Sequence, residues 1–144
     1  CLVGSEMCIR DRDKELKLVG TSYNYGISYE QNSVLERSVI FEETTSFKQY
    51  KFDLGSTNKG SYDVLTSDNK NKDFVWYDKS LDISSLEKGR YAIIVYTKTK
   101  DVADYGEVSD VFGMINDASA VINNKKYSII LNKERNNRIE LIVE

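Results

Sequence analysis

The sequence predicts an all-β chain folded as an antiparallel β-sandwich, and three observations carry that expectation. Strand formers dominate, with ten tyrosines beside many Val, Ile, Thr and Ser. Short segments of alternating apolar and polar residues recur every 8 to 12 residues or so, separated by breaks rich in Gly, Asn and Asp. No long segment carries apolar residues at the three-and-four spacing of a helix. Proline is absent, so the turns fall to Gly, Asn and Asp.

Residues 1–12, CLVGSEMCIRDR, resemble the translation of a sequencing-adapter read-through. The resemblance covers that segment alone. It implies that Cys1 and Cys8 are not biological, that Met7 is not a start, and that the natural N-terminus is missing. A disordered native tail is the alternative, and on either reading the segment is a non-native or disordered leader to be set aside. Residues 13–144 are then one sandwich domain, about 130 residues that bury roughly two-thirds of the surface of the unfolded chain.

In order along the chain, Glu15 to Ser22 alternates as a first strand and leads into a loop holding Tyr23, Tyr25 and Tyr29. Val34 to Glu43 follows, with Leu35, Arg37, Val39 and Phe41 on one face. Phe47 to Leu54 is the next strand, then a turn at 55–60 and a short strand from Ser61 to Thr66. After a polar tip at 67–73, Phe74 to Tyr77 begins the approach to LDISSLEKGRYAIIVYTKT, residues 81–99. There, with one helical turn allowed near Ser84 to Glu87, Gly89 supplies a sharp entry into a central strand. Tyr91, Ile93 and Val95 point one way and Ala92, Ile94 and Tyr96 the other, a pattern that predicts burial on both faces. A strand over 104–112, bulged at Gly106, precedes a closing meander. Its strands are Ala118 to Ile122, Lys126 to Leu131 and Arg138 to Val143, and Asn123, Asn124 and Lys125 form its first turn.

Within that central segment, Leu86, Gly89, Tyr91 and Val95 read L-x-x-G-x-Y-x-x-x-V, which resembles the corner before the sixth strand of fibronectin type III and other immunoglobulin-like modules. In such a corner the Leu seats the turn in the core and the Tyr hydroxyl returns to a backbone group a few residues upstream. The resemblance implies an immunoglobulin-like sandwich of the kind used as spacer or adhesion units of bacterial surface proteins, or beside catalytic domains. Lys88 stands where the corner usually has proline. About 45 residues follow where such a module has one strand left, which implies extra C-terminal hairpin strands.

Chemistry is constrained by what is missing. Histidine is absent, and both cysteines fall in the leader, so imidazole catalysis, thiolate zinc sites and a Cys nucleophile are excluded from the domain. A formal charge of -3 argues against a general nucleic-acid binder. No apolar run approaches the roughly 20 residues needed to cross a bilayer, so membrane insertion is not expected. No metal or other cofactor is expected; Asp68, Asp73, Asp101 and Asp104 lie near turns but lack calcium-loop spacing.

The remaining candidates are binding residues. Trp76 and Tyr77 offer a platform for a sugar ring or a partner, or else fill the core as a lone Trp in a sandwich does. Tyr23, Tyr25 and Tyr29 offer a second platform, or else pack the loop. Lys133, Arg135 and Arg138, with Lys125 and Lys126, form a basic patch for an anionic envelope polymer if the meander's ends meet, and a solvated charged edge if they do not. The reading is a non-catalytic spacer or binding module of a larger secreted or cell-surface bacterial protein, with a cell-envelope glycan or another protein domain as partner. The alternative is an accessory glycan- or envelope-polymer-binding domain of a carbohydrate-active enzyme or envelope transferase.

Overall fold

A computed structural model describes residues 2–10, 15–55, 67–108 and 118–144. Ten strands are present among them: β1 (Leu2–Arg10), β2 (Glu15–Tyr23), β3 (Val34–Glu43), β4 (Gln49–Asp53), β5 (Trp76–Leu81), β6 (Gly89–Thr99), β7 (Ala103–Glu107), β8 (Ala118–Ile122), β9 (Lys125–Asn132) and β10 (Arg138–Val143). All pairings are antiparallel. A smaller sheet has the order β1-β2-β5, and a larger one runs β4-β3-β6-β10-β9-β8 with β7 added to β6.

The hub of the larger sheet is β6. One of its edges pairs with β3 from Tyr91 to Thr99. Its other edge is divided, Gly89 to Ala92 going to β10 and Ile94 to Lys98 to β7. The two sheets share one core, in which Leu16 and Leu18 of β2 and Tyr77 and Leu81 of β5 meet Val39, Phe41, Tyr91, Ile93, Val95, Ile129, Ile139 and Leu141. A second, smaller cluster gathers Tyr29, Val34, Val75 and Trp76 at one end. There a polar clamp also joins the sheets: Ser22 and Thr97 share a hydroxyl hydrogen bond of 2.9 Å.

The corner before β6 forms as its residues suggest. Leu86 is fully buried, and the Tyr91 hydroxyl donates to the Glu87 carbonyl at 2.7 Å, giving a buried phenol a partner. Gly89 does something other than turn the chain, for its φ is not positive and it already lies in β6. A Cβ there would stand 2.9 Å from Cγ of Glu43, so the glycine permits a close approach of β3's last residue.

Several elements depart from expectation. β1 occupies most of the leader set aside above and pairs with β2 from Leu2 opposite Tyr23 to Arg10 opposite Glu15. The strand entering the corner lies at Trp76–Leu81, later than Phe74 to Tyr77. Ser84 and Ser85 make a plain turn, and the one helical turn among the described residues is a 3-10 turn at Lys133–Arg135. The register runs without a bulge through Gly106; the irregularity lies between Val34 and Glu36, and it turns Leu35 out to solvent while Arg37 stays inside. Nor is β6 buried on both faces, since Ile94 and Tyr96 are only half-buried. The expected strand over 61–66 lies outside the described residues. The Asn123 and Asn124 turn does form, both residues taking left-handed backbone at φ 51° and 65°.

Candidate functional site

The half-covered outer face of β6 carries the candidate site. Tyr96 lies opposite Ser38 of β3 on one side and Tyr105 of β7 on the other. Residues directly opposite in an antiparallel pair share a face, so the two tyrosines stand together. Their ring centroids are 4.7 Å apart with the planes tilted by 36°. Tyr105 is 62% exposed, a large value for an aromatic side chain on a strand. Beside them, Nζ of Lys51 lies 5.4 Å from the centre of the Tyr96 ring and 2.8 Å from Glu36 Oε1.

The electrostatics of this face follow from that pair. Lys51 draws the Glu36 carboxyl below its ordinary range, helped by a hydrogen bond from Ser38, and Glu36 in turn raises the Lys51 ammonium. Both side chains are substantially exposed, so the ion pair contributes little to stability and can open to ligand hydroxyls. An aromatic surface rimmed by one donor and one acceptor suits a ring with an apolar face and polar edges, as a pyranose has.

The residues singled out from sequence fall elsewhere. Trp76 is nearly buried in the smaller cluster and Tyr77 is wholly buried in the main core, so neither shows a ring face to solvent. Burial pushes the Tyr77 phenol well above its ordinary value, and its hydroxyl has no partner among the described residues. In the first loop Tyr29 is buried and donates order to the turn by accepting from the Asn24 N–H at 2.9 Å. Tyr23 is partly buried against the same cluster, and Tyr25 alone is open, at 72%. This loop is held by Lys72, buried over the rings of Tyr23 and Tyr29 and bonded to Asp68 and the Ile27 carbonyl. Asp68 also accepts from the Gly26 N–H at 2.6 Å.

The basic residues of the meander are divided between its ends. Arg135 grips Glu107 with bonds of 2.8 and 3.0 Å and lies 3.5 Å from Glu140. Arg138 donates to the Glu107 carbonyl at 2.9 Å. Lys125 is at the opposite end of β9, tied to the Ser84 and Leu86 carbonyls. Lys133 is exposed on the 3-10 turn. Arg135 and Arg138 thus neutralise acids that join β7 to β10, and the five cations do not gather into one patch.

Sequence reasoning missed Tyr96 and Tyr105 as a pair. Their meeting depends on the register of β7 on β6, which no local pattern encodes. The available signal was Tyr105 itself, a large ring between Asp104 and Gly106 in a strand with little else to bury. Among the described residues no group of three or more His, Cys, Asp or Glu converges as a metal site. In comparisons with known proteins, no family model and no curated sequence matches this chain.

Proposed function

We propose that this chain is a non-catalytic binding module of a larger secreted or cell-surface bacterial protein, an immunoglobulin-like sandwich with extra hairpin strands. Its contact surface is the outer face of β6 and β7, and its partner is a cell-envelope glycan. The pairing of half-buried Tyr96 with exposed Tyr105 carries this reading, because packing alone gives no reason to hold the Tyr105 ring in solvent against its neighbour. The tyrosine corner and the shared core support the sandwich. A role as accessory domain beside a carbohydrate-active catalytic unit rests on the same rings and differs in what the neighbouring domain does.

The test is titration of the protein with soluble fragments of cell-wall and plant polysaccharides, followed by calorimetry or affinity electrophoresis. Saturable binding that weakens roughly tenfold in Tyr105→Ala and is untouched in Tyr25→Ala is the expected result. Absence of saturable binding to every glycan would leave a spacer, with the rings available to another protein domain.

A further inference from the structure

The edge of β2 that faces β1 is filled by a segment whose sequence resembles adapter read-through. β1 nevertheless matches β2 residue for residue along its whole length, from Leu2 opposite Tyr23 to Arg10 opposite Glu15. β2 itself belongs to the body of the domain: its other edge pairs with β5 from Leu16 to Thr21, and Leu16 and Leu18 are fully buried in the core. Without β1, the edge of a core strand would present a row of unpaired N–H and C=O groups, each a ready template for another strand. β1 also approaches β7 and β8 of the larger sheet.

We propose that the β2 edge is a generic strand-acceptor seat, filled by the extended segment joined directly upstream of β2 and selected by backbone pairing more than by side chains. Two features favour an occupant from the same chain. Only residues 11–14 separate β1 from β2, and a strand tethered so closely competes at an effective concentration of roughly millimolar or above. The ladder is antiparallel, as a neighbouring segment folding back must be. The inference rests on the adapter resemblance of residues 1–12 and is independent of the glycan-binding proposal.

The experiment replaces residues 2–10 within the full chain in two ways, by an unrelated alternating sequence of strand formers and by a flexible Gly/Ser spacer of equal length. Melting temperature and solution mass are then measured. The unrelated strand is expected to keep the melting temperature within about 4 °C of the parent, and the spacer to lower it by about 8 °C or more. Self-association of the spacer variant, as bared edges pair between copies, would also support the seat. The proposal is overturned if the unrelated strand destabilises as much as the spacer, which would make the β1 sequence specific. It is equally overturned if the spacer variant matches the parent in stability and mass.

Discussion

The guanidinium of Arg37 on β3 donates to the carbonyl of Trp76 on β5 across 2.8 Å, and so ties the larger sheet to the smaller. Longer bonds run from the same group to Phe74, Ser22 and Thr97, at 3.3, 3.4 and 3.5 Å. The side chain is fully buried, and burial lowers its pKa to about 10, leaving it charged at neutral pH. A buried cation is expensive to desolvate unless its donors are used. Arg37→Leu should therefore lower the unfolding free energy by roughly 2 to 4 kcal/mol, the range for breaking a buried polar network. Arg37→Lys should not restore it, because one ammonium cannot reproduce a planar fork. Urea unfolding of the three proteins measures both; a Leu variant as stable as the parent would show that the clamp is dispensable.

Glu43 and Gly89 form a second coupled pair. Glu43 Oε2 accepts from the Thr45 N–H, the Ser46 N–H and the Ser46 hydroxyl at 2.9, 2.5 and 2.8 Å, and the Ser46 bonds hold its carboxyl below the usual range. A side chain so pinned cannot swing away from a new methyl group. Gly89→Ala should cost about 1 to 3 kcal/mol through overpacking. In a Glu43→Ala background the same change should cost markedly less, and a double-mutant cycle on thermal unfolding reads the coupling.

Phe47, at the turn between β3 and β4, adopts φ 61° with its ring 69% exposed. For a bulky residue the left-handed region is strained, and an exposed ring recovers little by packing. Phe47→Asn or Phe47→Gly should raise stability by about 1 kcal/mol, seen as a higher melting temperature. A loss of stability in both variants would show that the ring packs more than its exposure indicates.

Alkaline pH should unfold the domain. Burial raises the phenols of Tyr23, Tyr29, Tyr77, Tyr91 and Tyr127, that of Tyr91 to about 12 from an ordinary 10. Raised values mean that the fold favours the neutral phenols, so their contribution is whole below about pH 10 and is lost as pH rises toward 12 and beyond. Arg37, lowered from 12.5 to about 10, works in the opposite sense over that window, but one cation opposes five phenols. Stability from urea titrations should fall steadily above about pH 10. Tyr91→Phe should lose about 1 kcal/mol at neutral pH with its bond to Glu87, yet decline less steeply in alkali.

Much of this fold was legible because strands advertise themselves locally. Val34–Glu43, Ala118–Ile122 and Arg138–Val143 form strands with the bounds their composition predicts, and the Asn123–Asn124 turn follows from the left-handed tolerance of Asn. The Tyr91 corner was readable because its hydrogen-bond partner is only four residues away. What escaped was set by distance along the chain. Arg37 on an apolar face was visible, but its carbonyl partners lie on β2, on β5 and just before β5. The pairing of Arg135 with Glu107 likewise needed the shared edge of β6, and one extra residue at Leu35 reversed the facing of that side chain. The candidate site belongs to this second class, since Tyr96 and Tyr105 meet only once β7 has found its register.

The divided edge of β6 bears on how the chain is made. β10, the last of the described strands to be synthesised, lies between β6 and β9. Until it emerges, the hairpin of β8 and β9 has no ladder to hold it to the hub, and Gly89 to Ala92 stand with one side bare. Before β10 is added, the larger sheet is therefore in two pieces. A stall or premature stop within Arg138–Val143 should yield a sticky, protease-sensitive product that depends on holding chaperones.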